Sequence, residues 1–207
     1  MRLCIALTIL MGLMFVVACS DPAADQPRAT TGAPTQASPQ NVEGTKYPIT
    51  TQNSKIEFIG SKVTGSHNGS FQKFSGDIDY AGAPERSRVS VTIDVDSITT
   101  DDANLTKHLK TADFFDVAKF PQATFVSTEI KPGGENASHT ITGNLTMHGV
   151  TKAVTFPATI NITPDLASVD ASFSINRKDF GISYAGAPDN LIRDDVVLKL
   201  TIRANKT

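Results

Sequence analysis

Apolar and polar residues alternate with a period of two, again and again, from Tyr47 to the end of the chain. No other feature of the sequence restricts the fold as much. Val89, Val91, Ile93 and Val95 alternate with Arg88, Ser90, Thr92 and Asp94. Val154, Phe156, Ala158, Ile160 and Ile162 form a second set, and Val169, Ala171, Phe173 and Ile175 a third. The same pattern holds around Ile56 and Phe58, from Ile141 to Met147, and from Val196 to Ile202. With Phe71–Tyr80 and Thr124–Ile130 it predicts about eight strands. Successive strand side chains point to opposite faces, so each strand has one buried and one wet face. Strands of a parallel sheet, covered on both faces, would instead read as continuous apolar runs. Only Ala103–Thr111 reads as helix, with Leu105 and Leu109 four apart behind Asp101-Asp102 as a start signal. The expected fold is all-β: an antiparallel barrel of about eight strands with one short helical insert. Closure favours a barrel because it leaves no exposed edges. A two-sheet sandwich has the same pattern.

The chain ahead of Tyr47 has a different character. Met1-Arg2 precedes an uncharged run from Leu3 to Ala18 that is short for a membrane span and suits a secretory signal. It ends in Val16-Val17-Ala18-Cys19, which resembles a bacterial lipobox, where the cysteine thiol takes the lipid. Residues 1–18 are therefore expected to be a signal peptide and Cys19 a lipidated residue. Residues 19–46, rich in Pro, Ala, Thr and Gln, are expected to be a flexible tether, with the folded domain spanning 47–207. Cys4 leaves with the signal, so the mature domain has no disulfide. The expected location is the bacterial envelope, anchored by lipid. Ser20 after the cysteine favours the outer membrane, facing the periplasm. Net charge is −2 with no basic patch, which argues against nucleic acid and against a polybasic membrane segment. The sequence leaves the oligomeric state open.

Catalytic patterns are absent. Gly65-Ser66-His67-Asn68-Gly69 has its serine in the wrong place for a nucleophile elbow, and no glycine-rich phosphate loop opens a helix. His67, His108, His139 and His148 show no metal-ligand spacing. His67 before Asn68-Gly69 and His148 before Gly149 read as turn residues. His108 lies on the expected helix beside Phe114 and Phe115, within reach of a ligand head group or simply packed there. Arg177 offers charge-assisted bonds to a phosphate or carbonyl, or pairs with an acid such as Asp179. All phenylalanines except Phe15 fall in the mature chain, and there is no Trp.

Three segments carry a family resemblance. The first holds His67, Gly69, Phe71, Phe74 and Gly76. The second runs from His108 to Val117 and on through Phe120-Pro121-Gln122-Ala123-Thr124-Phe125. The third joins Gly143–Lys152 to Asn176–Ile182. Together they resemble the YceI-like proteins of bacterial periplasms. The resemblance implies a lipocalin-like eight-stranded barrel with an elongated apolar cavity that takes a long lipid, such as an isoprenoid quinone or polyprenyl chain. It implies no catalysis and no resident cofactor. The expected ligand-facing residues are Phe58, Phe71, Phe74, Leu109, Phe114, Phe115, Leu145, Phe156, Phe173 and Phe180, with His108 and Arg177 as polar candidates. Phe114 and Phe115 are expected to form a lid over the barrel mouth. The alternative is a structural or stress-protective envelope protein whose barrel is filled and holds no ligand.

Overall fold

A computed structural model describes residues 21–36, 42–188 and 190–206. The signal segment and Cys19 lie outside the described residues. The first strands are β1 (Thr30–Gly32), β2 (Thr45–Ile49), β3 (Lys55–Lys62), β4 (Gly65–Phe71) and β5 (Phe74–Tyr80). β6 (Arg88–Asp94), β7 (Ile98–Thr100) and the helix α1 (Ala103–Leu109) follow, then β8 (Gln122–Pro132), β9 (His139–Met147), β10 (Val150–Ile162) and β11 (Leu166–Asn176). A two-residue pair, β12 (Gly186–Ala187) and β13 (Asn190–Leu191), precedes the final strand β14 (Asp195–Asn205).

All strands except that small pair belong to one antiparallel sheet, ordered β2-β5-β6-β8-β9-β10-β11-β14-β3-β4-β7, with β1 on β10. The sheet curls into a half-barrel. The expectation of about eight strands is thus corrected to twelve. The eight alternating segments are all present as strands, and the additional ones escape the pattern for physical reasons. β4 (GSHNGSF) carries no large apolar residue before Phe71, because its inner face is taken by a neighbour. A Cβ built on Gly69 would sit 2.1 Å from the ring of Phe58. Asn68-Gly69 is therefore strand, not turn, and Gly69 is there for close approach. His67 pairs with Gly60 across the β3–β4 ladder and lies 2.8 Å from Asp101. β2 contains Pro48, which a terminal strand tolerates. β7 follows β6 after one 3₁₀ turn and pairs with β4, so the chain itself links the third strand of the order to its last.

The β9–β10 hairpin shows how closely local chemistry sets register. Met147 pairs with Val150, and the two loop residues His148 and Gly149 have φ of 52° and 74°. Positive φ at both central positions is the primed turn whose twist matches a hairpin. The His148 imidazole also lies 3.1 Å from the Phe180 carbonyl and packs on Phe120.

The tether expectation is corrected over residues 21–36. β10 and β11 pair only through Thr159–Ile162 and Ala167–Asp170, and beyond that they separate. Pro157, which has no N–H to give, lies where they part. The N-terminal segment fills the seam. Ser174 exchanges backbone hydrogen bonds with Pro27 and Ala29, and Thr30–Gly32 pair with Ala153–Thr155. Ser172 bonds to Gln26, Thr31 to Asp179, and Arg28 and Asp21 form ion pairs with Asp195 and Arg193. A segment with no large apolar side chain is ordered here by main-chain hydrogen bonds that the seam leaves open.

Candidate functional site

The inward-facing residues of the curled sheet do not fill it. They leave a cavity of about 210 Å³, and no polar atom presents surface to its interior. An apolar void of this kind stays dry and takes apolar guests. Its wall follows from the alternation: Val89, Val91 and Ile93 on β6, Phe156 on β10, Phe173 and Ile175 on β11, and Leu198, Leu200 and Ile202 on β14 all share the inner parity. Phe156 and Phe173 stack with centroids 4.2 Å apart and planes 12° apart, forming a rigid patch of the wall.

One end of the cavity is closed by α1 and the segment after it. Asp102 caps α1 by accepting from the N–H groups of Asn104 and Leu105, the role expected of the Asp101-Asp102 pair. Asp101 ties the helix start to β4, accepting from the Asn68 N–H at 2.9 Å. That bond, with the His67 contact, holds its carboxyl below the usual carboxylate range. Downstream of α1 the chain turns tightly: the Phe115 N–H donates to the Leu109 carbonyl, and Asp116 takes a φ of 45°. The turn releases Phe114 and Phe115 from strand geometry, and both line the cavity. Phe115 meets Phe71 edge-on at 6.2 Å.

Of the expected ligand-facing set, Phe58, Phe71, Leu109, Phe114, Phe115, Leu145, Phe156, Phe173 and Arg177 line this one cavity. Phe74, Phe180 and His108 do not, and their expected role is corrected. Phe74 and Phe180 are buried in the core, and neither is among the residues that line the cavity. His108 lies on the outer side of the lid, between the rings of Phe114 and Tyr184 and 2.8 Å from Asp113. On a helix whose Leu109 faces the cavity, residue 108 is turned about 100° away. The aliphatic part of the wall, such as Ile49, Ile78, Ile141 and Met147, lies outside the expected ligand-facing set. The signal that finds it is the same inward parity that marks the phenylalanines.

Arg177 is spent inside the protein. Its side chain donates to the carbonyls of Arg193 and Ile182 and to the Asp194 carboxylate, at 3.1, 2.8 and 3.0 Å. Burial lowers the pKa of the guanidinium and Asp194 opposes that. With no polar surface in the cavity, Arg177 contributes only its carbon stem there. Its partner is Asp194, not Asp179, which instead accepts from Thr31.

The model of the YceI-like domain matches residues 47–204. The chain belongs to the YceI-like family. Among curated YceI-like relatives, a UPF0312 protein of Pseudomonas putida (strain GB-1) is 40% identical over 149 residues, covering 69% of this chain and 76% of that one. A UPF0312 protein of Enterobacter sp. (strain 638) is 44% identical over 122 residues, or 56% of this chain and 62% of its own. Among solved structures, BcnA of Burkholderia cenocepacia matches with a TM-score of 0.65 at 27% identity, covering 75% of this chain and 99% of that chain. A polyisoprenoid binding domain from Saccharophagus degradans, implicated in plant cell wall breakdown, shares the fold with a TM-score of 0.62 at 18% identity, over 78% and 98% of the two chains. The strap of residues 21–36 lies wholly ahead of the matched YceI-like segment.

Proposed function

We propose that this YceI-like protein is an envelope lipoprotein whose cavity holds one long apolar chain, an isoprenoid of quinone or polyprenyl type or a comparable acyl lipid. It sequesters that lipid or carries it. The observation that carries the reading is the cavity itself, an apolar space with no polar surface, closed at one end by an aromatic lid. Family membership and the polyisoprenoid-binding description of the Saccharophagus neighbour support the same ligand class. The lipobox-like run ending in Cys19 supports anchoring of the mature chain by lipid in a bacterial envelope, and Ser20 supports the outer membrane, facing the periplasm. A wall without donors or acceptors offers no means to read a head group, and recognition is therefore by chain.

Titration of the delipidated protein with a homologous series of fatty or isoprenoid alcohols tests this. Each buried CH₂ contributes about 0.8 kcal/mol, which is roughly a fourfold gain in affinity per methylene. The gain continues until the cavity is full and then stops. Affinity that tracks the head group and ignores chain length contradicts the reading.

A further inference from the structure

Among the described residues three large apolar side chains are exposed: Val63 at 49%, Leu191 at 49% and Tyr184 at 37%. Val63 is distant in sequence from Tyr184 and Leu191, yet the three lie together at the lid end of the cavity. The Val63 N–H donates to the Leu191 carbonyl at 3.1 Å. Leu191 precedes Ile192, a cavity-lining residue whose N–H donates to Ala185, next to Tyr184. The Tyr184 ring packs 5.2 Å from that of Phe114, which lines the cavity from within. The exposed apolar residues thus form a rim directly outside the lid.

The N-terminal strap leads to the same place. Asp21 is the first described residue, and its carboxylate lies 3.1 Å from Arg193, the residue after Ile192. Arg193 in turn donates its N–H to Ser61, two residues before Val63. Only Ser20 stands between Asp21 and Cys19. Two residues of chain span at most about 7 Å. On the lipid-anchor reading, the acylated residue is thus tethered within two residues of a side chain that touches the rim segment.

We infer that the rim of Val63, Tyr184 and Leu191 is a bilayer-docking surface. It seats the lid end of the cavity against the leaflet that holds the Cys19 anchor. Aliphatic side chains with a tyrosine at their edge suit the interface of a membrane, where an amphipathic ring lies at head-group depth. Docked this way, an apolar ligand passes between leaflet and cavity without crossing water. The inference rests on the lipid-anchor reading above.

The absence of tryptophan makes the test direct. Leu191→Trp places a lone fluorophore on the rim, and Asp165→Trp places one at the exposed β10–β11 turn, at the opposite end of the sheet. Each full-length acylated variant is reconstituted on phosphatidylethanolamine–phosphatidylglycerol vesicles containing brominated acyl chains. The mass of its N-terminal peptide is recorded alongside. The expected result is quenching several-fold stronger at position 191 than at 165, lost when Val63→Ser and Tyr184→Ser are added to Leu191→Trp. Equal quenching at the two positions in acylated protein overturns the docking inference and leaves the anchor standing. An N-terminal peptide without acyl groups overturns the anchor, and docking with it.

Discussion

Ala123→Phe is expected to abolish lipid retention while leaving the sheet folded. Ala123 is buried on β8 opposite Ile93, and its methyl faces the cavity. A phenyl ring there projects into space that the wall leaves empty. Overpacking a filled core costs about 1–3 kcal/mol and forces neighbours off their rotamers. Growth into an existing void displaces ligand instead. The lipid-free melting temperature of the variant should therefore lie within a few degrees of the wild type. Added lipid should raise the melting temperature of the wild type alone, because only a state that binds ligand is stabilised by it. If the barrel were a filled structural core, the same substitution would lower stability sharply and lipid would stabilise neither protein. Melting curves of both proteins with and without a long-chain isoprenoid alcohol decide between these outcomes.

Arg177→Ala is expected to be the most destabilising change at the site. Arg177 is 4% exposed, and its guanidinium holds the segment from residue 177 to 194 together through two carbonyls and Asp194. Its removal leaves the Ile182 and Arg193 carbonyls without their partner, at about 1–3 kcal/mol for each buried group. Asp194 is 38% exposed and keeps Lys178, so the two carbonyls carry most of a loss of about 3–5 kcal/mol. For a domain of this size that is a fall in melting temperature of roughly 6–20 °C. Arg177→Lys keeps the charge but not the fork, and should recover only part of the loss. Were Arg177 a head-group ligand, both variants would lose binding with stability nearly intact. Thermal melts of the lipid-free variants separate the two roles.

Much of this architecture can be read in the chain before any coordinates. The alternation in β6, β10, β11 and β14 marks the inner wall, and the break in period at Ala103 marks the only α-helix among the described residues. The adjacent pair Phe114-Phe115 marks the lid, because two neighbours can share a face only outside a strand. What the pattern hides is pairing made by backbone alone. β1 and β4 have few apolar side chains, so their hydrogen bonds to β10 and β3 leave no periodic signature. The same holds for the strap from Asp21 to Pro27, whose proline and alanine content reads as coil yet fits the seam between β10 and β11. His108 misleads for another reason. Its position beside the lid phenylalanines is legible, but the side of the helix it occupies depends on where α1 starts, which the Asp102 cap sets.

A cavity that carries a long apolar lipid in the cell retains it through purification. The direct test is solvent extraction of the protein purified from its own host, with mass spectrometry of the extract and protein quantified in the same sample. The expected result is about one long-chain isoprenoid or acyl lipid per folded molecule, and none from Ala123→Phe prepared in parallel. An extract from the wild type with no lipid beyond that of the variant contradicts it.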